Sequence, residues 1–92
     1  MTIKKSKIGR IYLNLLNGDD RNWAVEKGLE LSEDKKTAFL DEKTIGTLDI
    51  NQVAGIFRQM NLLVKYDNSA YEVCAEVVEM CNKRGKVLKG VS

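Results

Sequence analysis

Ninety-two residues with 43% apolar and 30% charged content and a net charge of +2 suffice for one hydrophobic core, so a single domain spanning residues 1–92 is expected. Apolar residues are spread along the chain, which excludes a disordered composition, and the run 11–16 is interrupted by Asn14 far short of the roughly 18 apolar residues of a membrane span. Histidine is absent, which removes the side chain best tuned for proton transfer near neutral pH.

Lys4, Lys5, Lys7 and Arg10 open the chain with no apolar stretch of about 7 to 15 residues behind them, so a secretory signal is not read and a cytoplasmic location is expected. Ile8, Ile11, Tyr12, Leu15 and Leu16 recur as one face of a helix that Asn17 and Gly18 would stop. Ile11, Leu13 and Leu15 also alternate as a strand would, but the helix has more matches and is predicted. From Trp23 to Leu31 both periods survive: Trp23, Val25, Leu29 and Leu31 alternate, while Val25, Gly28 and Leu29 fit a helical face behind an Asp20 cap. A helix over 20–30 is preferred. Residues 29–31 and 37–40 flank the charged stretch 33–36, which suits a hairpin, and Ser32 equally suits a helix cap, so 32–46 stays open.

The second half is better punctuated. Asp49 and Gln52 are spaced as a capping box, and Val53, Ile56, Phe57 and Met60 form an apolar stripe with Asn51, Gln52, Arg58 and Gln59 outside it, which predicts a helix over 50–60 ended by Asn61. Gly55 costs that helix about 1 kcal/mol relative to alanine unless something packs close against it. Residues 62–66 read as a short strand closed by the turn-favouring Asp67 and Asn68. Ser69 and Glu72 suggest a second capping box. Behind it Ala70, Val73, Cys74, Val77 and Cys81 oppose Glu72, Glu76, Glu79 and Lys83, which predicts a helix over 70–84 stopped by a left-handed Gly85. Lys83 and Arg84 would complement its dipole. On it Cys74 and Cys81 lie about 10.5 Å apart along the axis, beyond the roughly 7 Å Cα separation a disulfide spans, so both are read as reduced and buried. The expected fold class is α+β and predominantly helical: a small single domain of about four helices with a short strand or hairpin, its basic ends 1–6 and 86–92 flexible.

Chemistry-bearing motifs are missing. The serines at 6, 32, 69 and 92 lie in no G-x-S-x-G turn, and the seven glycines build neither a dinucleotide fingerprint nor a phosphate loop. The carboxylate pairs Asp19–Asp20, Glu33–Asp34 and Asp41–Glu42 lack the alternation of a calcium loop and read as solvated loop charges. A non-enzymatic chain with no cofactor and no metal is expected, acting on a macromolecular partner.

Two partners are weighed. Residues 1–10 carry four cations and no anion, 11–50 carry five cations against nine anions, and 51–92 carry six against four. Basic ends meeting on one face would attract phosphate or an acidic protein. The helix 50–60, the strand 62–66 and the turn after it are similar to the recognition helix and wing of a winged helix, and Asn51, Gln52, Arg58 and Gln59 can reach base edges. That resemblance implies a DNA-binding regulator with a winged-helix-like fold. A pI near 8.6 and nine anions in the middle supply little phosphate attraction, so a protein partner is favoured over nucleic acid, with an adaptor, inhibitor or immunity-type role. Tyr12, Trp23, Tyr66 and Tyr71 are the aromatic anchors available, though a domain this small needs most of them inside. Trp23, Asn51, Gln52, Arg58, Gln59, Lys65 and Tyr66 are the candidate binding residues. A homodimer through a surplus apolar face is also open, and no membrane partner is expected.

Overall fold

Period-two alternation, not helical spacing, governs the N-terminal segment of the computed structural model, which describes residues 1–90. Ile11–Asn14 is strand β2, with Ile11 and Leu13 buried and Tyr12 and Asn14 half-buried between them. It is the centre of a three-stranded antiparallel sheet with β1, Thr2–Lys5, on one side and β3, Thr37–Phe39, on the other. The helix expected over 8–16 therefore does not form, and Ile8, which its apolar face required inside, is 88% exposed. The hairpin turn explains why: Ser6 N–H donates to the Arg10 carbonyl at 2.8 Å and Arg10 N–H to Ser6 Oγ at 3.0 Å. Gly9 completes it at φ +87°, a conformation glycine adopts without a Cβ penalty. The register puts Ile3, Leu13 and Ala38 in one buried row and Lys4, Tyr12 and Phe39 in another on the outer face.

Helix α1, Gly18–Glu26, is capped by Asn17, whose side chain accepts from Asp20 N–H. Asp20, the expected cap, instead accepts from Leu16 N–H at 2.9 Å and pairs with the terminal ammonium at 3.2 Å. The helix ends before residue 30 because Gly28 turns the chain at φ +74° and drops Leu29 into the core. The chain then doubles back as the flanking runs suggested: Phe39 N–H donates to the Glu30 carbonyl, Ser32 N–H to the Thr37 carbonyl, and Leu31 bridges Ala38. Asp41 caps the short helix α2, Glu42–Ile45.

Helix α3, Ile50–Tyr66, starts on the Asp49–Gln52 capping box. It does not end at Asn61, and 62–66 is its last turn rather than a strand, so the wing of a winged helix has no counterpart. Asn costs a helix at most about 0.7 kcal/mol, less than the roughly 1.5–3 kcal/mol from burying a large apolar side chain, and Met60, Leu63 and Val64 carry the core-facing stripe past it. The Lys27 side chain lies across Gly55, where a Cβ would come 2.5 Å from Lys27 Cε, so a larger residue there requires that flexible side chain to move.

Asp67 ends α3 and opens a 3₁₀ turn, Asn68–Ala70, accepting Ser69 N–H at 3.0 Å and Ser69 Oγ–H at 2.6 Å. With its hydroxyl committed there, Ser69 does not form the expected capping box with Glu72, and helix α4, Tyr71–Leu88, begins without a side-chain cap. It continues through Gly85, which is not left-handed; Gly90 takes that role at φ +74°. Arg84 Nε donates to the Leu48 carbonyl at 2.9 Å, tying α4 to the loop before α3. Of the ends expected to be flexible, 2–5 form β1 and 86–88 close α4; residues 91 and 92 lie outside the described residues. Four helices and one sheet among the described residues make this a small α+β domain. Its core joins Leu13, Leu40 and Ile45 to Ile56 and Met60 of α3 and Cys74, Val77 and Cys81 of α4. Both cysteines are free and buried, and burial pushes the Cys81 thiol up to about 11.

Candidate functional site

Each long helix carries a second stripe beside the one it buries. On α3, Ile50, Ala54 and Phe57 step by four and three along the edge of the core stripe Val53, Ile56 and Met60. Along α4 and into its C-cap, Asn82, Gly85 and Lys89 step by three and four beside Cys74, Val77 and Cys81. Because the 3₁₀ turn folds the two helices back on one another, the start of α3 lies beside the end of α4, and these stripes bound an open groove of about 500 Å³. Buried Val53 and Cys81 reach its floor, Ile50 remains 42% exposed, and Phe57 36%. A Cβ at Gly85 would meet nothing within 4 Å, so the α4 wall is open there.

The rim is cationic on both banks. Arg58 stands on the α3 side and Lys86 and Lys89 on the α4 side, and among the described residues no carboxylate lines the groove. None of the three takes part in an ion pair among the described residues, whereas Lys5 pairs with Glu76 at 2.9 Å and Arg10 with Asp41 at 2.6 Å and Glu30 at 3.1 Å.

Of the residues singled out from sequence, Arg58 alone lines this groove. Asn51 is exposed on the first turn of α3; Gln52 is half-buried and committed to the capping box and, at 3.4 Å, to the Glu26 carbonyl. Gln59 is half-buried and Arg58 exposed. Lys65 and Tyr66 are exposed at the far end of α3, and Trp23 packs half-buried against the core. Two aromatics expected inside are outside: Tyr66 is 84% exposed and Tyr71 62%. Sequence reasoning missed Ile50, Phe57, Gly85, Lys86 and Lys89. It assigned Phe57 to the core, Gly85 to a helix stop and the lysines to a tail. The available signal was the apolar arc of α3, which with Ile50 and Ala54 is wider than one core contact needs.

The carboxylates with perturbed acidity serve turns. Burial alone would raise Asp41, but the Thr44 N–H at 3.0 Å, the Thr44 hydroxyl at 2.8 Å and Arg10 outweigh it and hold the carboxyl below its ordinary value. Asp34 is lowered by the Ser32 hydroxyl and Lys36 N–H, and Asp67 by Ser69. All three shifts favour the ionised form, opposite to that of a general acid poised near neutrality. On the outer sheet face the Arg10 guanidinium lies 3.7 Å from the Phe39 ring centroid, covering the aromatic surface a stacked base would use. Among the described residues no three His, Cys, Asp or Glu side chains cluster so as to hold a metal ion, and no helix is long and apolar enough to cross a membrane. No protein-family model matches the chain, and comparison with curated proteins and with solved structures gives no match.

Proposed function

We propose that this chain is a non-catalytic binding protein that acts by contact with another protein, and that the α3–α4 groove is the contact surface. The observation that carries this is the combination of exposed Ile50 and Phe57 with a rim whose three cations make no ion pair among the described residues, on one concave face. Apolar side chains left at a rimmed groove of a small domain gain by being covered, at about 25 cal/mol for each Å² removed from water. Aromatic residues and arginine are both enriched at protein interfaces, and here Phe57 and Arg58 are adjacent. A duplex partner fits less well, because the groove offers apolar walls where phosphates need a basic stripe, and the wing that would flank a recognition helix is absent. The reduced, buried cysteines suit a reducing compartment such as the cytoplasm.

Photo-crosslinking tests this in the native host, with p-benzoylphenylalanine in place of Phe57. The expected product is a discrete protein adduct that disappears when Gly85→Leu fills the groove. Adducts to nucleic acid, or protein adducts indifferent to Gly85→Leu, would contradict it.

A further inference from the structure

We infer that the groove receives an amphipathic helix whose apolar stripe is flanked by carboxylates; this rests on the protein-binding function proposed above and names the chemistry of the partner. The backbone of any segment seated there decides its conformation. Apart from the first N–H groups of α3 and the last C=O groups of α4, the main-chain groups of both walls are bonded within their helices, so they offer a buried strand no continuous ladder of partners. A strand in the groove would bury unpaired amides, whereas a helix brings its own hydrogen bonds. The dimensions agree: the α3 wall from Ile50 to Phe57 is eight residues, about 12 Å at 1.5 Å per residue, or roughly two turns of a partner helix. Apolar anchors at i, i+3 or i+4, and i+7 match that length.

Charge selects among such helices. With Arg58 on one bank and Lys86 and Lys89 on the other, acidic residues on both shoulders of the partner's stripe meet cations, and basic ones meet repulsion. The same distribution disfavours a second copy of this chain, since a two-fold contact through this groove would oppose the three cations to themselves. An anionic lipid fits less well, because the groove is open along its length and would leave an acyl chain in water.

The test is selection from a displayed library of 20-residue helices that share a leucine stripe and carry Glu, Lys or Gln at random on both shoulders. Selected sequences are expected to be enriched in Glu over Lys, and to bind Gly85→Leu and the triple reversal Arg58→Glu, Lys86→Glu, Lys89→Glu at least about tenfold more weakly than the parent, with affinity falling as salt rises. Circular dichroism of both variants checks that the fold is intact, and Gly85→Leu replaces a helical glycine with a better helix former. Enrichment in Lys, no charge preference, no selectable binder, or stronger binding to vesicles of anionic lipid would overturn the proposal. If the library fails while the position-57 crosslink still yields a protein adduct sensitive to Gly85→Leu, the groove stands and the acidic helix falls. If both fail, neither survives.

Discussion

Gly85→Ala separates two accounts of the end of α4 by the sign of its effect. In the structure Gly85 lies inside the helix, with helical backbone and nothing within 4 Å of the Cβ that alanine would add. Alanine then removes the conformational freedom glycine has in the unfolded chain and clashes with nothing. In a helix interior this exchange is worth about 0.8–1.0 kcal/mol, and fraying of the last turn trims it to about 0.5–1 kcal/mol. For a domain of this size 1 kcal/mol moves Tm by about 4–8 °C, so a rise of about 2–8 °C is expected. If Gly85 were instead the left-handed stop that its sequence position suggests, alanine would pay roughly 1–2 kcal/mol for a positive φ and the midpoint would fall. Thermal and urea unfolding followed by far-ultraviolet circular dichroism are the assays, with the urea m-value checked for constancy. A lowered midpoint at constant m refutes a helix that passes through Gly85, and with it the open α4 wall of the groove.

Asp41→Ala removes the cap of α2 and the anchor of Arg10, and is expected to cost about 1–2 kcal/mol in urea unfolding at pH 7. Because the folded protein holds the Asp41 carboxyl below its ordinary 3.8, its contribution is complete above that value and is lost as pH falls through the folded value; the wild type should lose more stability than the variant on acidification from pH 5, and parallel pH curves would contradict this. Gly28→Ala forces a side chain into φ +74° and places its Cβ 2.9 Å from Gln52 Nε2 and 3.2 Å from Leu48 Cδ2, so a loss of at least about 1–2 kcal/mol is expected, and unchanged thermal stability would refute the turn geometry. Native protein at pH 7.5 should react slowly with a thiol reagent at both cysteines and rapidly after denaturation, Cys81 most of all because burial raises its thiol to about 11; fast native labelling would contradict the packing. Ile56→Ala, fully buried on α3, should cost about 2–5 kcal/mol by chemical denaturation, and a cost below 1 kcal/mol would place Ile56 outside the core.

Local signals were legible where the local hydrogen bond they encode is the one made. Asp49 and Gln52 cap α3 as their spacing implies, and the stripe Val53, Ile56, Met60 is buried as its period requires. They failed where two local options compete and packing chooses. Residues 8–16 satisfy both periods, and the choice falls to the sheet because β2 is paired on both sides, by β1 and β3, partners that no window of the sequence contains. Ser69 offered a capping box, but Asp67, two residues back, takes its hydroxyl first. Asn61 and Gly85 both carry the composition of helix ends; Asn61 is overridden because Leu63 and Val64 beyond it pack against the core, and α4 runs on through Gly85 to Leu88 with helical backbone. The candidate site was the least legible part: a groove between two helices depends on which stripe of each faces the other, and the periodicity that marks Phe57 as apolar does not say whether it is covered.

The pair Gly85→Ala and Gly85→Leu tests the groove most directly, since both substitutions favour the helix and only leucine occupies the space between α3 and α4. Crosslinking from position 57 in the two backgrounds is predicted to give the parental protein adduct with alanine and little or none with leucine. Equal adduct yields, with both variants folded, would contradict a partner seated in the groove.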